Sequence, residues 1–333
     1  MLNSNDNSSD KRNADYMLVD GPAEIRRLST MYYLLKYFFD NQNFLPEPIN
    51  IEEIGNVLDV GAGTGIWTLD LADQSAAAAR LPPHDCEHPL RLSMCDISTA
   101  KFPPAEVLAP VGIKAFQHDV LTPFPADMHG TFDLVNMNYL VIALTEDKWG
   151  IALKNVHDVL KPGGYLILRE SDPVFYSASS PPPPDDGTPH DLPSQINGTT
   201  VVHKMNSMLA NFAIKNGFVV GLSYRFPEFL EHAGLRIARR KRVLMPTGDL
   251  CDSYTTARGA SMASLKATSI DNIDMALDGL SKALLDKGML EAPVGTKIES
   301  EQKRLEMMKE VHERVAEGLL VVQMEVVAQR PCP

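Results

Sequence analysis

The stretch Val57-Leu-Asp-Val-Gly-Ala-Gly-Thr-Gly-Ile66 limits the fold more than any other part of the chain. Four residues suited to a short buried strand run into alternating glycines, and a helical run over 66–79 follows. Such a strand–turn–helix unit opens an α/β sheet. Glycines at 61, 63 and 65 remove the Cβ atoms that would keep a ligand away from the backbone at the carboxyl end of that strand. The dinucleotide fingerprint G-x-G-x-x-G needs its third glycine where Ile66 stands. The spacing therefore argues against NAD and against a cradled phosphate.

Further strand candidates follow at 90–95, 113–118, 132–135 and 165–169. The run 147–160 reads as a helix, with Thr145 at its N-cap, Glu146 and Asp147 in its first turn and Pro162-Gly163-Gly164 as its stop. Upstream, Pro22 opens a helix whose apolar positions, among them Ile25, Leu28, Leu35 and Phe39, recur at three- and four-residue steps. Strands alternating with helices predict a mostly parallel, doubly wound α/β sheet.

Downstream, 200–216 reads as a helix closed by Gly217, and 235–244 and 320–329 as two late strands. Between them, Ile270, Ile273, Leu277, Leu280 and Leu284 mark one amphipathic helix, and Leu305, Met308, Val315 and Leu319 a second. The expected divisions are a disordered leader over 1–15, a helical cover over 16–50 and a core over 51–248. A helical cap over 249–319 and a last core strand with tail over 320–333 complete them. The Pro-rich run 179–193 excludes regular structure and, following the fifth strand, is expected to be a flexible lid.

Three acidic residues fall at three successive strand ends. Asp59 stands inside the first strand, where a carboxylate is costly unless a ligand's ammonium group or the N–H groups of the turn meet it. Asp96 ends the second, a position from which a carboxylate accepts both hydroxyls of a ribose. Its interval from Gly65 exceeds the roughly 20 residues usual in nucleotide folds, and the Ala- and Pro-containing run 74–89 accounts for the excess. Asp119 ends the third, within reach of an adenine amino group or else as a helix N-cap. The set matches a ligand with an amine, a ribose and an adenine but no phosphate.

With V-L-D-V-G-A-G-T-G, Asp96, H-D-V around Asp119, F-D-L-V at 132–135 and L-K-P-G-G-Y-L at 160–166 in this order, the chain resembles the class I S-adenosylmethionine-dependent methyltransferases over 56–170. D-G-P-A-E-I-R-R-L at 20–28 and V-V-A-Q-R-P at 326–331 further resemble the fungal secondary-metabolism methyltransferases, a group that also contains a methyltransferase-like regulator of such gene clusters. The resemblance implies a Rossmann-like, seven-stranded doubly wound sheet with an N-terminal helical cover and a helical insertion before the last strand. It also implies S-adenosyl-L-methionine as cofactor, held by Tyr16, Asp59, Gly61, Gly63, Gly65, Asp96, Ile97, Asp119, Val120, Asn136 and Asn138. Asn136 and Asn138 are placed to meet its methionine end through backbone or amide groups, with a plain loop role equally open for Asn138. One departure is Asn136-Met-Asn138 itself, where members of the narrower group often carry an Arg.

Methyl transfer from a sulfonium is an in-line displacement, so alignment and exclusion of water supply much of its rate. A hydroxyl or amine acceptor gains from a base, and His190 and His203 are the candidates; His203 is preferred because a helix holds a side chain more firmly than a Pro-rich loop. The net charge of -12, from 43 acidic and 31 basic residues, repels phosphate backbones, so no nucleic-acid partner is expected. No apolar stretch nears the roughly 18 residues of a membrane span. The polar start, MLNSNDNSSD, points to a cytoplasmic chain with reduced cysteines. His84, Cys86, Glu87 and His88 crowd ligand types into one loop at a spacing that rarely gives four tetrahedral ligands, so no metal is expected. Arg236 and the cations at 239–242 read as a charge-guarded strand edge.

The whole reads as methyl transfer to oxygen or nitrogen of a small, largely apolar natural product. The alternatives are a cofactor-binding regulator acting through protein partners and a repurposed enzyme that uses the cofactor without methyl transfer. A homodimer is left open.

Overall fold

A computed structural model describes residues 21–39, 44–84 and 86–333; Tyr16 lies outside the described residues. The central strands are apolar along their length because helices cover both faces. In β1 (Asn56–Val60), Val57 packs toward one helical layer while Leu58 and Val60 pack toward the other. β2 (Arg91–Asp96) and β3 (Lys114–Gln117) lie on one side of β1, β4 (Phe132–Asn138) and β5 (Leu160–Tyr176) on the other, all parallel. β7 (Leu320–Gln329) pairs antiparallel with β5 and with β6 (Arg236–Pro246) at the sheet edge. The order is β3-β2-β1-β4-β5-β7-β6, the seven-stranded Rossmann-like sheet that the motifs imply. Because the chain leaves β1 first to one side and later to the other, the carboxyl ends of β1 and β4 flank the switch point where such sheets bind ligands.

In chain order the main helices are α1 (Pro22–Phe38), α2 (Ile66–Asp73), α3 (Glu146–Val159), α4 (Val201–Asn206), α5 (Phe212–Lys215), α6 (Leu222–His232), α7 (Lys266–Asp286) and α8 (Glu301–Glu317). α3 and α6 cover one face of the sheet, where Trp149 meets Phe226 edge-on at 5.2 Å. Thr145 occupies the N-cap of α3 as expected, but its hydroxyl donates to the Asp147 carboxylate and accepts from no backbone N–H of the first turn. α7 and α8 lie between β6 and β7, and their Leu277, Leu280 and Val315 join Phe38, Met245 and Val321 in one apolar cluster. Asn272 of α7 donates to the Arg27 carbonyl of α1 at 3.0 Å, so cap and cover are joined.

Three elements differ from the sequence reading. The helix expected over 66–79 breaks at Gln74, whose backbone is extended, and resumes as the single turn Ser75–Ala78. The helix expected over 200–216 is wound wider at Ser207–Asn211, a π segment between α4 and α5. α6 escapes the reading because Pro227 interrupts its pattern. A proline ring removes the N–H that would bond four residues back, and here the carbonyl left over, that of Ser223, accepts from Arg240 Nη2 at 2.8 Å.

The β6 cations are correspondingly not a bare charged edge. Arg239 pairs with Glu325, Arg240 with Asp185, and Arg242 donates to the Pro183 carbonyl at 2.9 Å. Two of these contacts fasten the Pro-rich run against β6, and His190 at its far end is buried. The run carries no helix or strand over 181–190, but a short helix, Leu192–Ile196, begins within its last two residues, contrary to the reading of 179–193 as free of regular structure. Among the described residues, no helix is long and apolar enough to cross a membrane.

Candidate functional site

A cavity of about 1070 Å³ opens at the carboxyl ends of β1, β2 and β4 and continues beneath α1 and α7. That volume lies at the upper end of what a single small-molecule site uses. Asp59, Gly61, Gly63, Asp96, Ile97, Asp119, Val120, Asn136 and Asn138 all border it.

The glycines of the turn divide their work. Gly63 has φ 55°, and a Cβ there would meet nothing within 4 Å, so the backbone stands open to an approaching group. Gly65 does not border the cavity. At φ 69° it caps α2, and a Cβ would lie 2.9 Å from Met94 Sδ, so it is glycine for helix-to-strand packing. Asp96 accepts from Gly63 N at 2.9 Å with one carboxylate oxygen and from Ser98 N at 3.0 Å with the other. Each oxygen keeps a further lone pair for a ligand hydroxyl. Ile97 beside it is 42 % exposed, an apolar surface at the cavity edge. Asp119 accepts from Leu121 N at 3.0 Å, which closes the turn after β3 with the side chain at the cavity border.

Asp59 is buried and accepts from Asn136 Nδ2 at 2.7 Å and Thr68 Oγ1 at 2.8 Å. Burial pushes its carboxyl up to about 7, against the pull of those two hydrogen bonds. Asn136 accepts in turn from Asn138 Nδ2 at 2.9 Å, and Asn138 accepts from Arg169 N at 2.9 Å. The Asn136 amide is thus occupied within the wall, where it orients Asp59. This geometry, open glycine backbone flanked by carboxylates at three strand ends, suits an adenosine bearing an ammonium group.

Residues 30–196 match the methyltransferase domain family. The chain belongs to that family. A methyltransferase of a Penicillium species, grgD, is 33% identical over 159 residues, covering 47% of this chain and 52% of that protein. An N-methyltransferase of Claviceps purpurea is 27% identical over 163 residues, covering 46% and 53%. A secondary metabolism regulator of Gibberella fujikuroi is 26% identical over 158 residues, covering 47% and 45%. The matched part spans about half the length of these curated relatives.

Neither histidine expected to act as a base in this methyltransferase domain borders the cavity. The ring nitrogens of His203 contact Thr200 Oγ1 at 2.7 Å and the Ser194 carbonyl at 3.2 Å, so the side chain closes the start of α4. His190 is held between Asp172 Oδ2 at 2.7 Å and the Tyr176 hydroxyl at 2.6 Å, with 1 % of its side chain exposed. It pins the Pro-rich run to β5. No residue of 179–193, the expected lid, borders the cavity either; Asp185 and Pro183 hold the run along β6. Asp172 is the member of this buried triad that reaches the cavity wall.

The sequence reading missed several wall residues. Tyr139 follows β4 directly with φ 57°, unusual for a residue with a Cβ, and its buried hydroxyl has no hydrogen-bond partner. The turn it begins is held by the buried Glu170, whose carboxylate accepts from Leu140 N at 2.6 Å and Val141 N at 3.1 Å. Burial holds the Glu170 carboxyl well above its ordinary range. A carboxylate in the apolar strand L-I-L-R-E-S was the available signal. Arg169 and Glu325, which pair at 2.8 Å across β5 and β7, gave none, because 156 residues separate them.

Proposed function

We propose that this domain transfers a methyl group from S-adenosylmethionine to oxygen or nitrogen of a small, largely apolar natural product of secondary metabolism. The observation that carries the reading is one cavity with two kinds of wall. At the switch point it offers the Gly63 backbone and the carboxylates of Asp59, Asp96 and Asp119; beneath α1 and α7 it is lined by Leu28, Leu35, Ile273 and Leu280. S-adenosylmethionine fits the first part, with Asp96 for the ribose, Asp119 for the adenine amino group and Asp59 toward the ammonium group. When bound it supplies an electrophilic methyl on a sulfonium. The chain's own residues then orient the acceptor and keep water out, as an in-line displacement requires. The name of the Claviceps purpurea relative supports nitrogen as one acceptor atom.

Mass spectrometry of fungal metabolite extracts incubated with the chain and methyl-labelled cofactor tests this, and a labelled low-mass product is expected. Cofactor binding without any labelled small molecule would instead favour the second reading, that of a regulator acting through protein partners, which the Gibberella fujikuroi relative brings into view.

A further inference from the structure

We propose that Gln323, with Tyr139, selects acceptors that carry an uncharged hydrogen-bond donor, a hydroxyl or an amine, over hydrocarbons and carboxylates. The inference rests on the methyl-transfer reading of the cavity and specifies its acceptor end.

The part of the cavity beneath α1 and α7 is floored by β5 and β7. Register sets Ser171 opposite Gln323 and Arg169 opposite Glu325, and Arg169, Ser171, Gln323 and Val321 all border the cavity. Around this floor the walls are apolar, with Leu35, Phe212, Ile273 and Leu280 among them. The charges on the floor are already matched, since the Glu325 carboxylate takes both Arg169 and Arg239. What remains unmatched is neutral. The Gln323 carboxamide oxygen and the Tyr139 hydroxyl are both buried without a hydrogen-bond partner, and Gln323 is 4 % exposed.

Buried polar atoms are almost always hydrogen-bonded, so two orphans in one cavity wall call for a group the protein itself does not supply. The Gln323 oxygen can only accept, and a ligand O–H or N–H completes it; the Tyr139 hydroxyl can then accept or donate. A hydrocarbon leaves both unpaired. A carboxylate can take the Tyr139 hydroxyl's hydrogen bond but leaves the Gln323 oxygen unpaired, and its charge meets no unmatched cation among the described residues of this floor. Gln323 lies opposite Ser171 on the β5–β7 side of the sheet, whereas the glycine turn and Asp96 stand on β1 and β2.

The test measures binding of 2-naphthol, 2-naphthylamine, 2-naphthoate and naphthalene to the full chain saturated with S-adenosylhomocysteine, in the wild type, Q323L and Y139F. One neutral hydrogen bond is worth about fivefold in affinity. Naphthol and naphthylamine are therefore expected to bind at least fivefold tighter than naphthalene and naphthoate. That margin should shrink below twofold in Q323L and partway in Y139F, with S-adenosylhomocysteine affinity unchanged. Equal binding of naphthol and naphthalene, tightest binding of naphthoate, a margin intact in both variants, or no binding of any probe overturns the inference. If Q323L fails to melt as the wild type does, Q323M is read in its place. Failure of S-adenosylhomocysteine itself to bind counts against the methyl-transfer reading, and the probes are then compared on the chain alone.

Discussion

Burial raises the Asp59 carboxyl from 3.8 to about 7, so between those values the folded chain keeps a proton that the unfolded chain has released. The associated stabilisation is complete below 3.8 and is lost as the pH rises through 7. Relative to Asp59→Asn, the wild type should lose on the order of 2–3 kcal/mol of unfolding free energy between pH 5 and 8, with no further loss above. Urea melts across that range check it, and parallel curves for the two proteins would remove the assignment. At Asp96 the expectation concerns binding. Asp96→Ala deletes charge-assisted hydrogen bonds to a ribose, about 1.5–3 kcal/mol in all. Calorimetry should show S-adenosylhomocysteine binding weakened by one to two powers of ten, and unchanged affinity would move the ribose elsewhere.

Arg240 makes a consequence of Pro227 visible among the elements. By donating to the Ser223 carbonyl that the proline leaves unpaired, it lets α6 continue through a residue that should end it. Arg240→Met should cost about 1–3 kcal/mol of stability, and adding Pro227→Ala should recover part of that loss by restoring the helix's own bond. Strict additivity of the two changes in thermal melts would show that the arginine serves α6 in no such way. His190→Ala should free the Pro-rich run from β5. Limited proteolysis should then cut within 181–190 faster than in the wild type, while His203→Ala leaves that cleavage unchanged. The same elements show where the sequence was legible. The inner parallel strands stood out because burial on both faces leaves them mostly apolar, whereas the edge strand β3 is largely exposed, α6 carries an internal proline and the π segment at Ser207–Asn211 has no signature in residue type.

Taken whole, the molecule builds one cavity from two sources, a switch point made by a local run of sequence and a chamber roofed by α1 and α7. Filling only the chamber should separate them. Leu277→Trp, on the cavity side of α7, is expected to abolish acceptor methylation or raise the acceptor KM at least tenfold while leaving S-adenosylhomocysteine affinity within twofold. A matching loss of both would mean that the two parts are not separable. By itself the sequence determined the strand–glycine–helix unit, the carboxylates at three strand ends and the succession of core strands along the chain. Those depend on backbone sterics and on connection rules that act within a few tens of residues. Tertiary structure alone decided that His190 and His203 lie off the cavity wall, that the Pro-rich run lies along β6, and that Gln323, Tyr139 and Leu277 line one cavity. Periodicity tells that a face is buried, but which distant face covers it is set by strand register and helix packing across the whole chain.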